Sequence, residues 1–165
     1  PLIAGLSRLP PESWHLSLIG SLAMDRGYVQ RVRALIVRLG FEDQIDMPGP
    51  LDGKELAGRL DTGQVFVLPF SCEGFGIACL EAMAHGLPVV GSTNGALKEF
   101  IFDGINGVLI PSGDLDTFAQ QVQRLHEDRK LLARLGQEAL KTFRSRPGWQ
   151  DSFRKIHSFL LSVAK

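Results

Sequence analysis

Short apolar runs alternate with longer stretches of helical periodicity along the chain. Five runs of strand length are predicted, at residues 14–20, 45–47, 65–68, 88–91 and 108–110. Stretches in which apolar residues recur every three or four positions separate most of these runs. Strands that alternate with helices predict an α/β protein with a doubly wound parallel sheet.

The predicted helices have recognisable ends. Their ranges are 28–39, 52–60, 77–86, 115–125, 129–143 and a terminal amphipathic helix at 149–163, with a helical turn or two at 97–101. Asp52 and Asp114 open two of these helices as typical N-cap residues. Gly40 is a typical C-cap after the first helix. The sequence Pro-Gly-Pro at 48–50 is predicted to turn the chain after the second strand.

The start of the chain lacks the strand with which a doubly wound fold begins. Residues 1–9 have the pattern of the end of a helix, which a proline pair closes. We therefore expect the first strand of the fold to lie upstream of Pro1. In a doubly wound order that strand is central, between the strands predicted at 14–20 and 65–68. Without it, either the sheet closes differently or another segment or chain fills the gap.

Composition and charge describe an ordinary globular domain and exclude several classes of function. The 165 residues form one domain, 1–165, with 44% hydrophobic and 22% charged residues. Lys and Arg together number 18, as do Asp and Glu, so nothing indicates a nucleic-acid surface. No apolar run approaches the roughly 18 residues of a membrane span. Cys72 and Cys79 have neither disulfide nor zinc-site spacing, so we expect a reducing cytoplasm and no bound metal.

The most informative stretch is residues 65–91, which has the pattern of a strand, a loop, a helix and a second strand. Its loop, 70–76, follows the carboxyl end of a strand, where ligands bind in open α/β sheets. Gly74 and Gly76 let the backbone approach a ligand closely. The helix that follows presents backbone N–H groups and the positive end of its dipole. This combination favours a phosphate or a diphosphate.

Two carboxylates flank this junction. Glu73 lies in the loop and Glu81 in the first turns of the helix, eight positions apart. Because a carboxylate repels a phosphate, it is better suited to accept hydrogen bonds from hydroxyl groups. A ligand with hydroxyls on both sides of a diphosphate is a nucleotide sugar. The spacing also permits a structural interpretation, in which Glu73 caps the helix and Glu81 is a solvated helix residue.

A dinucleotide site is a competing interpretation of the same glycines. Gly74 and Gly76 follow a strand and open a helix, but Cys79 takes the place of the third glycine of the nicotinamide fingerprint. The segment 89–94 also lacks the acidic residue that would bind a ribose. No GK[ST] sequence exists for a Walker A loop, and none of the four histidines has a sequence neighbour that suggests a triad.

Residues 73–90, EGFGIACLEAMAHGLPVV, resemble the signature of retaining glycosyltransferases of family 4, which have the two-domain GT-B fold. In that signature two glutamates are separated by seven residues, as Glu73 and Glu81 are here. Further segments resemble the family in the same order along the chain, at 39–49, 94–99, 103–107 and 111–114. The resemblance covers nearly the whole chain.

The resemblance implies that the chain is the C-terminal, donor-binding half of such an enzyme, with a Rossmann-like doubly wound sheet that lacks its first strand. The enzyme would transfer a hexosyl group from a UDP- or GDP-linked sugar to an acceptor, with retention of anomeric configuration. It would need neither a cofactor nor a metal. It would be cytoplasmic, with or without peripheral contact to a membrane, and would act in carbohydrate biosynthesis.

The same resemblance assigns roles to individual residues. The donor-binding residues would be Glu73, Gly74, Phe75, Gly76 and Glu81. Glu73, the candidate catalytic residue, would contact hydroxyls of the donor sugar, and Glu81 would hold the ribose hydroxyls. The glycine-loop amides would face the sugar and the diphosphate. The loop 47–51, with Gly49 and Leu51, would lie near the nucleobase.

The chain departs from the family pattern in three ways. The family's GR…KG motif, whose Arg and Lys neutralise the departing diphosphate, would precede Pro1. The N-terminal half, which binds the acceptor and to which the helix 149–163 would cross back, is absent. Phe70 stands where the family often has Ser. We therefore expect this segment to be inactive alone and its partner to be that N-terminal domain.

Two other functions stay open at this point. A nucleotide-sugar epimerase shares the GT-B fold, although the turns at 94–99 and 103–107 favour a transferase. A non-catalytic interaction module is the second, and the intact pair of Glu73 and Glu81 argues against it.

Overall fold

The structure, a computed structural model, describes residues 1–68 and 74–163. The strands are β1 (Leu16–Ile19), β2 (Ile45–Gly49), β3 (Phe66–Leu68), β4 (Val89–Ser92) and β5 (Gly107–Ile110). The helices are α1 (Leu2–Leu6), α2 (Arg26–Leu39), α3 (Gly53–Thr62), α4 (Ile77–Ala84), α5 (Leu115–Glu127), α6 (Arg129–Ser145) and α7 (Trp149–Val163). Two 3₁₀ turns lie at Pro11–Ser13 and Ala96–Glu99. Each of the five predicted strands is present, and the α/β class is confirmed.

The strands form two parallel sheets. In the first, β1 pairs with β2, with Leu16 opposite Ile45. In the second, β4 lies between β3 and β5, with Val67 opposite Val90. Within the described ranges no ladder joins β1 to β3, so the sheet is split at the position expected for the absent first strand.

One hydrophobic layer nevertheless extends under both sheets. Leu16 and Ile45 from the first sheet and Val90 and Ile110 from the second belong to a single buried cluster, to which Val67 also packs. Helices α1, α2, α5 and α6 cover this layer and contribute side chains to it. The two sheets therefore share one hydrophobic core.

The opposite face is covered by α3 and α4. Cys79 and Met83 of α4 pack with Val89, and Leu60 of α3 packs with Ala82. Cys79 is fully buried and packs as a small core residue. The sheet thus has helices on both faces, as a doubly wound fold requires.

Helix ends follow the local signals closely. Gly40 ends α2 in the left-handed conformation, with φ of 70°. Asp52 forms a capping box with Glu55 at the start of α3. Asp114 accepts hydrogen bonds from the Thr117 amide and hydroxyl at the start of α5. These hydrogen bonds, first that of the hydroxyl, lower the pKa of the Asp114 carboxyl below its ordinary value of 3.8.

One predicted boundary is wrong. Pro48 and Gly49 were expected to turn the chain, but β2 continues through Gly49, which lies opposite Ile19. Pro48 is tolerated because β2 is an outer strand and the ladder is irregular there, with Met47 and Pro48 together opposite Leu18. The ladder has an irregularity between Ser17 and Ile19, where the register shifts.

Helix α7 leaves its apolar side chains exposed. Phe153, Phe159 and Val163 are 72%, 63% and 61% exposed. The predicted helix 149–163 is thus confirmed, and its apolar face contacts no core cluster of the described residues. No helix in the described ranges is long and apolar enough to cross a membrane.

Candidate functional site

The predicted strand–loop–helix–strand unit is present as β3, α4 and β4. Phe66 and Val89 are paired in register in the parallel ladder, and α4 connects the two strands. The loop after β3 is described only from Gly74 onward. Glu73, with Phe70 and Cys72, lies outside the described residues, so its predicted role stays a prediction.

Gly76 begins α4 in a conformation that demands glycine. It is the N-cap residue, with φ of 83° and ψ of 35° in the left-handed region. A Cβ atom added there would lie 2.7 Å from Cζ of Phe100 and 3.0 Å from Cδ2 of Leu97. Both conformation and space therefore exclude a side chain, and the start of α4 rests directly on an apolar floor.

The other predicted loop residues lie on the surface around this helix start. Gly74 is exposed, and Phe75 is 57% exposed. Glu81 is exposed in the second turn of α4. An exposed helix start with a carboxylate one turn further along permits an anion at the helix end and hydroxyl groups beside the carboxylate. It equally permits a solvated Glu81, so the geometry alone leaves both interpretations open.

Gly49 is the last residue of β2, and Leu51 lies two residues further on. Helix α3 then connects β2 to β3. Gly49 is buried, with φ of 90°, and its added Cβ would lie 3.6 Å from the Leu22 side chain. Leu51 is partly exposed just before the Asp52 cap. Their predicted proximity to a nucleobase stays untested.

A tightly bonded turn stands beside the floor of the site. The Asn106 side chain is fully buried; its amide nitrogen donates to the Phe100 carbonyl (2.8 Å) and to Thr142 Oγ1 (3.0 Å). Its amide oxygen accepts from the Phe102 N–H at 2.7 Å. Asp103 Oδ1 accepts from the Leu109 N–H at 2.9 Å. The sequence Asp-Gly-Ile-Asn-Gly thus acts as a structural device that fixes residues 100–106.

Sequence reasoning missed Phe100 and Arg146 as neighbours of the site. The segment 97–101 was predicted only as a helical turn, and it forms the 3₁₀ turn Ala96–Glu99 followed by the buried Phe100. The apolar spacing of Leu97, Phe100 and Ile101 signals a buried face, but not what that face contacts. The Arg146 guanidinium lies over the Phe100 ring, 5.2 Å from its centroid.

Other chemistry is scarce in the described ranges. They contain no group of three or more His, Cys, Asp or Glu side chains arranged to hold a metal ion. A concavity of about 350 Å³ lies between the end of α1 and helix α5. Its lining includes the ion pair of Arg8 with Asp116, and most of the α5 side chains that line the concavity are exposed. We assign it no role, because none of the residues that the sequence singled out lines it.

The fold is that of the Rossmann-like C-terminal half of GT-B glycosyltransferases. HepE from Anabaena in complex with UDP-glucose superposes with a TM-score of 0.88 and 26% identity, over 98% of this chain and 44% of HepE. The C-terminal domain of LpcC, a glycosyl transferase group 1 family protein from Francisella tularensis, superposes with a TM-score of 0.78 and 25% identity. That match covers 88% of this chain and 76% of the LpcC domain.

Residues 2–142 match the family described as Glycosyl transferases group 1, and the chain belongs to that family. A D-inositol 3-phosphate glycosyltransferase from Streptomyces bingchenggensis is 36% identical over 123 residues. A protein of the same name from Arthrobacter sp. is 31% identical over 133 residues. These matches cover 74% and 81% of this chain, which in turn spans 27% and 31% of the two relatives.

Proposed function

We propose that this chain is the donor-binding half of a retaining, family 4 glycosyltransferase and that it binds a nucleoside diphosphate sugar. The observation that carries the proposal is the start of α4. It lies at the carboxyl end of β3, follows an exposed glycine, and is seated by Gly76 on a buried floor. HepE, which shares this fold over nearly the whole chain, was solved with UDP-glucose.

The diphosphate is the group for which the helix start is suited. Backbone N–H groups at a helix N-terminus have no acceptor within the helix, and the dipole adds positive potential at that end. Gly74 carries no side chain that would keep a phosphate away from the backbone. In a displacement that releases a diphosphate, these groups stabilise the negative charge that develops on the leaving group.

The two carboxylates bind the hydroxyl groups on either side of the diphosphate. Glu81 accepts hydrogen bonds from the ribose, and Glu73 accepts them from the donor sugar and orients it for transfer. The exposed position of Glu81 in the second turn of α4 supports the first role. Gly49, at the end of β2, and Leu51, just after it, lie near the nucleobase.

Transfer itself requires groups that this segment does not provide. The acceptor is bound by a separate N-terminal domain, and the cations that neutralise the departing diphosphate are those of the family's GR…KG motif, which residues 1–165 do not contain. The segment alone therefore binds donor weakly and transfers no sugar. Its span of 27% and 31% of the two curated relatives supports this division of labour.

Calorimetric titration with UDP and with 2′-deoxy-UDP tests the site through Glu81. We expect UDP to bind about tenfold more tightly, because a hydrogen bond to a charged group contributes about 1.5–3 kcal/mol. In Glu81→Gln the preference shrinks severalfold, whereas Glu42→Gln, an exposed carboxylate elsewhere, leaves it unchanged. GDP and 2′-deoxy-GDP serve as the second pair. Absence of binding for all four nucleotides, or an unchanged preference in Glu81→Gln, contradicts the proposal.

A further inference from the structure

Helix α6 runs antiparallel along α4. It packs against α4 directly at two levels and through Phe100 at a third. At the far end of α4, an added Cβ on Gly136 would lie 2.4 Å from the Gly86 carbonyl oxygen. At the middle, Ala139 is fully buried in the cluster that contains Cys79 and Met83. The last turn of α6 therefore arrives beside the start of α4, where the glycine loop ends.

At that third level the contact is indirect and passes through Phe100. The Arg146 guanidinium lies 5.2 Å from the centroid of the Phe100 ring. Cζ of the same ring is the atom closest to an added Cβ on Gly76, at 2.7 Å. Phe100 is thus held between a cation at the end of α6 and the backbone at the start of α4.

The backbone of Phe100 is tied to the same turn of α6. Asn106 Nδ2 donates both to the Phe100 carbonyl and to Thr142 Oγ1, at 2.8 and 3.0 Å. Thr142 Oγ1 in turn donates to the Glu138 carbonyl at 2.8 Å. Thr142 and Arg146 are one helical turn apart, so they constrain the backbone and the ring of Phe100 respectively.

We propose that Arg146 is a positioning residue that seats Phe100 under Gly76 and thereby sets where the N–H groups of α4 point. The consequence for ligands rests on the proposed function, since it concerns the phosphate groups at that helix start. A cation over an aromatic face favours one ring position. Phe100 is 2% exposed, so a shift of its ring displaces the packed neighbour at Gly76.

This role affects phosphate binding and leaves nucleoside binding alone. The affinity for a phosphate depends on the orientation of several N–H groups together, and uridine carries no phosphate that could bind to them. We expect Arg146→Ala to weaken UDP binding about fivefold, in line with the loss of one cation–π contact. Uridine binding stays unchanged, and Arg146→Lys restores most of the UDP affinity because it keeps a cation near the ring.

Amide hydrogen exchange tests the packing of Phe100 under Gly76 directly and needs no ligand. In Arg146→Ala, and in Phe100→Leu as a second variant, the amide of Leu80, which donates to the Gly76 carbonyl, exchanges severalfold faster, while the amides of β4 keep their protection. Arg144→Ala is the matched control, because Arg144 is an exposed arginine in the last turn of α6. Unchanged exchange at Leu80 in both variants overturns the inference.

The two readouts separate this inference from the proposed function. Faster exchange of the Leu80 amide with no UDP binding to the unaltered chain supports the packing of Phe100 under Gly76 and contradicts the nucleotide site. Faster exchange together with equal losses of UDP and uridine affinity contradicts the positioning of phosphate by Arg146.

Discussion

Gly136 and Gly86 bring two helices into backbone contact. An added Cβ on Gly136, in the middle of α6, would lie 2.4 Å from the carbonyl oxygen of Gly86, which follows the end of α4. A backbone oxygen cannot swing away as a flexible side chain can. The approach of α6 to α4 therefore depends on the absence of a side chain at position 136.

Gly136→Ala is expected to lower the free energy of unfolding by about 1–3 kcal/mol, the usual cost of overpacking. The matched control is Gly58→Ala, in the interior of α3, where an added Cβ meets nothing within 4 Å. There alanine is expected to stabilise by about 0.5–1 kcal/mol, because it is the better helix former. Urea unfolding of both variants measures the difference, and two changes of the same sign would contradict the packing described for α6.

Asn106→Ala is expected to cost about 2–4 kcal/mol of unfolding free energy, because it leaves buried backbone groups without their partners. The Asn106 side chain is fully buried and bonds Phe100, Phe102 and Thr142. Asn94→Ala, at an exposed position, is the control and is expected to stay within about 0.5 kcal/mol of the unaltered chain. Equal effects at the two positions would show that the turn does not depend on Asn106.

Asp114 makes part of the stability depend on pH. Its pKa in the folded chain is below the ordinary value of 3.8, mainly because the Thr117 hydroxyl and amide donate to the carboxylate. The charged form is thus favoured by folding, so its contribution is complete above pH 3.8 and is lost as the pH falls below that value through the folded-state pKa.

Asp114→Asn retains an oxygen to accept from the Thr117 amide and removes the charge. The stability difference between the unaltered chain and this variant is therefore expected to shrink on acidification below pH 3.8. Urea midpoints measured from neutral to acid pH provide the comparison. A difference that stays constant over the whole range would exclude a charge contribution from Asp114.

The split between β1 and β3 is expected to appear in amide exchange. In β3, the Phe66 N–H donates to the carbonyl of Pro88, which directly precedes β4. The next amide, that of Val67, therefore points away from β4. Likewise the Leu16 N–H donates to the Gln44 carbonyl, so the Ser17 amide points away from β2. Both amides are expected to exchange faster than that of Val90 in the middle of its sheet. Equal protection of Val67 and Val90 would contradict an open edge at β3.

Most of the fold was accessible from the sequence because its signals are local. The caps at Asp52 and Asp114 and the αL position of Gly40 depend on a few neighbouring residues, and all three were predicted correctly. The doubly wound order predicted a missing central strand between the strands at 14–20 and 65–68, and no ladder joins β1 to β3 in the described ranges. The turn predicted at Pro48 was wrong because a proline is tolerated in an outer strand, and only the assembled sheet decides whether β2 is one.

The site was predicted in part for the same reason. Gly76 was recognisable because a helix start after a strand has a local pattern, and its φ of 83° bears this out. The contact of Phe100 with Gly76 joins residues 24 positions apart, and that of Arg146 with Phe100 joins residues 46 apart. Such contacts depend on how α4 and α6 pack, and no local pattern encodes that.

The central claim is that the start of α4 and its flanking loop bind a nucleoside diphosphate sugar. Titration of the isotope-labelled chain with UDP-glucose, followed by amide chemical shifts, tests it most directly. The largest shifts are expected at residues 74–81, with smaller ones at 49–51. Shifts confined to other parts of the chain, such as the concavity beside Arg8 and Arg124, or no shifts at saturating UDP-glucose, would contradict the account.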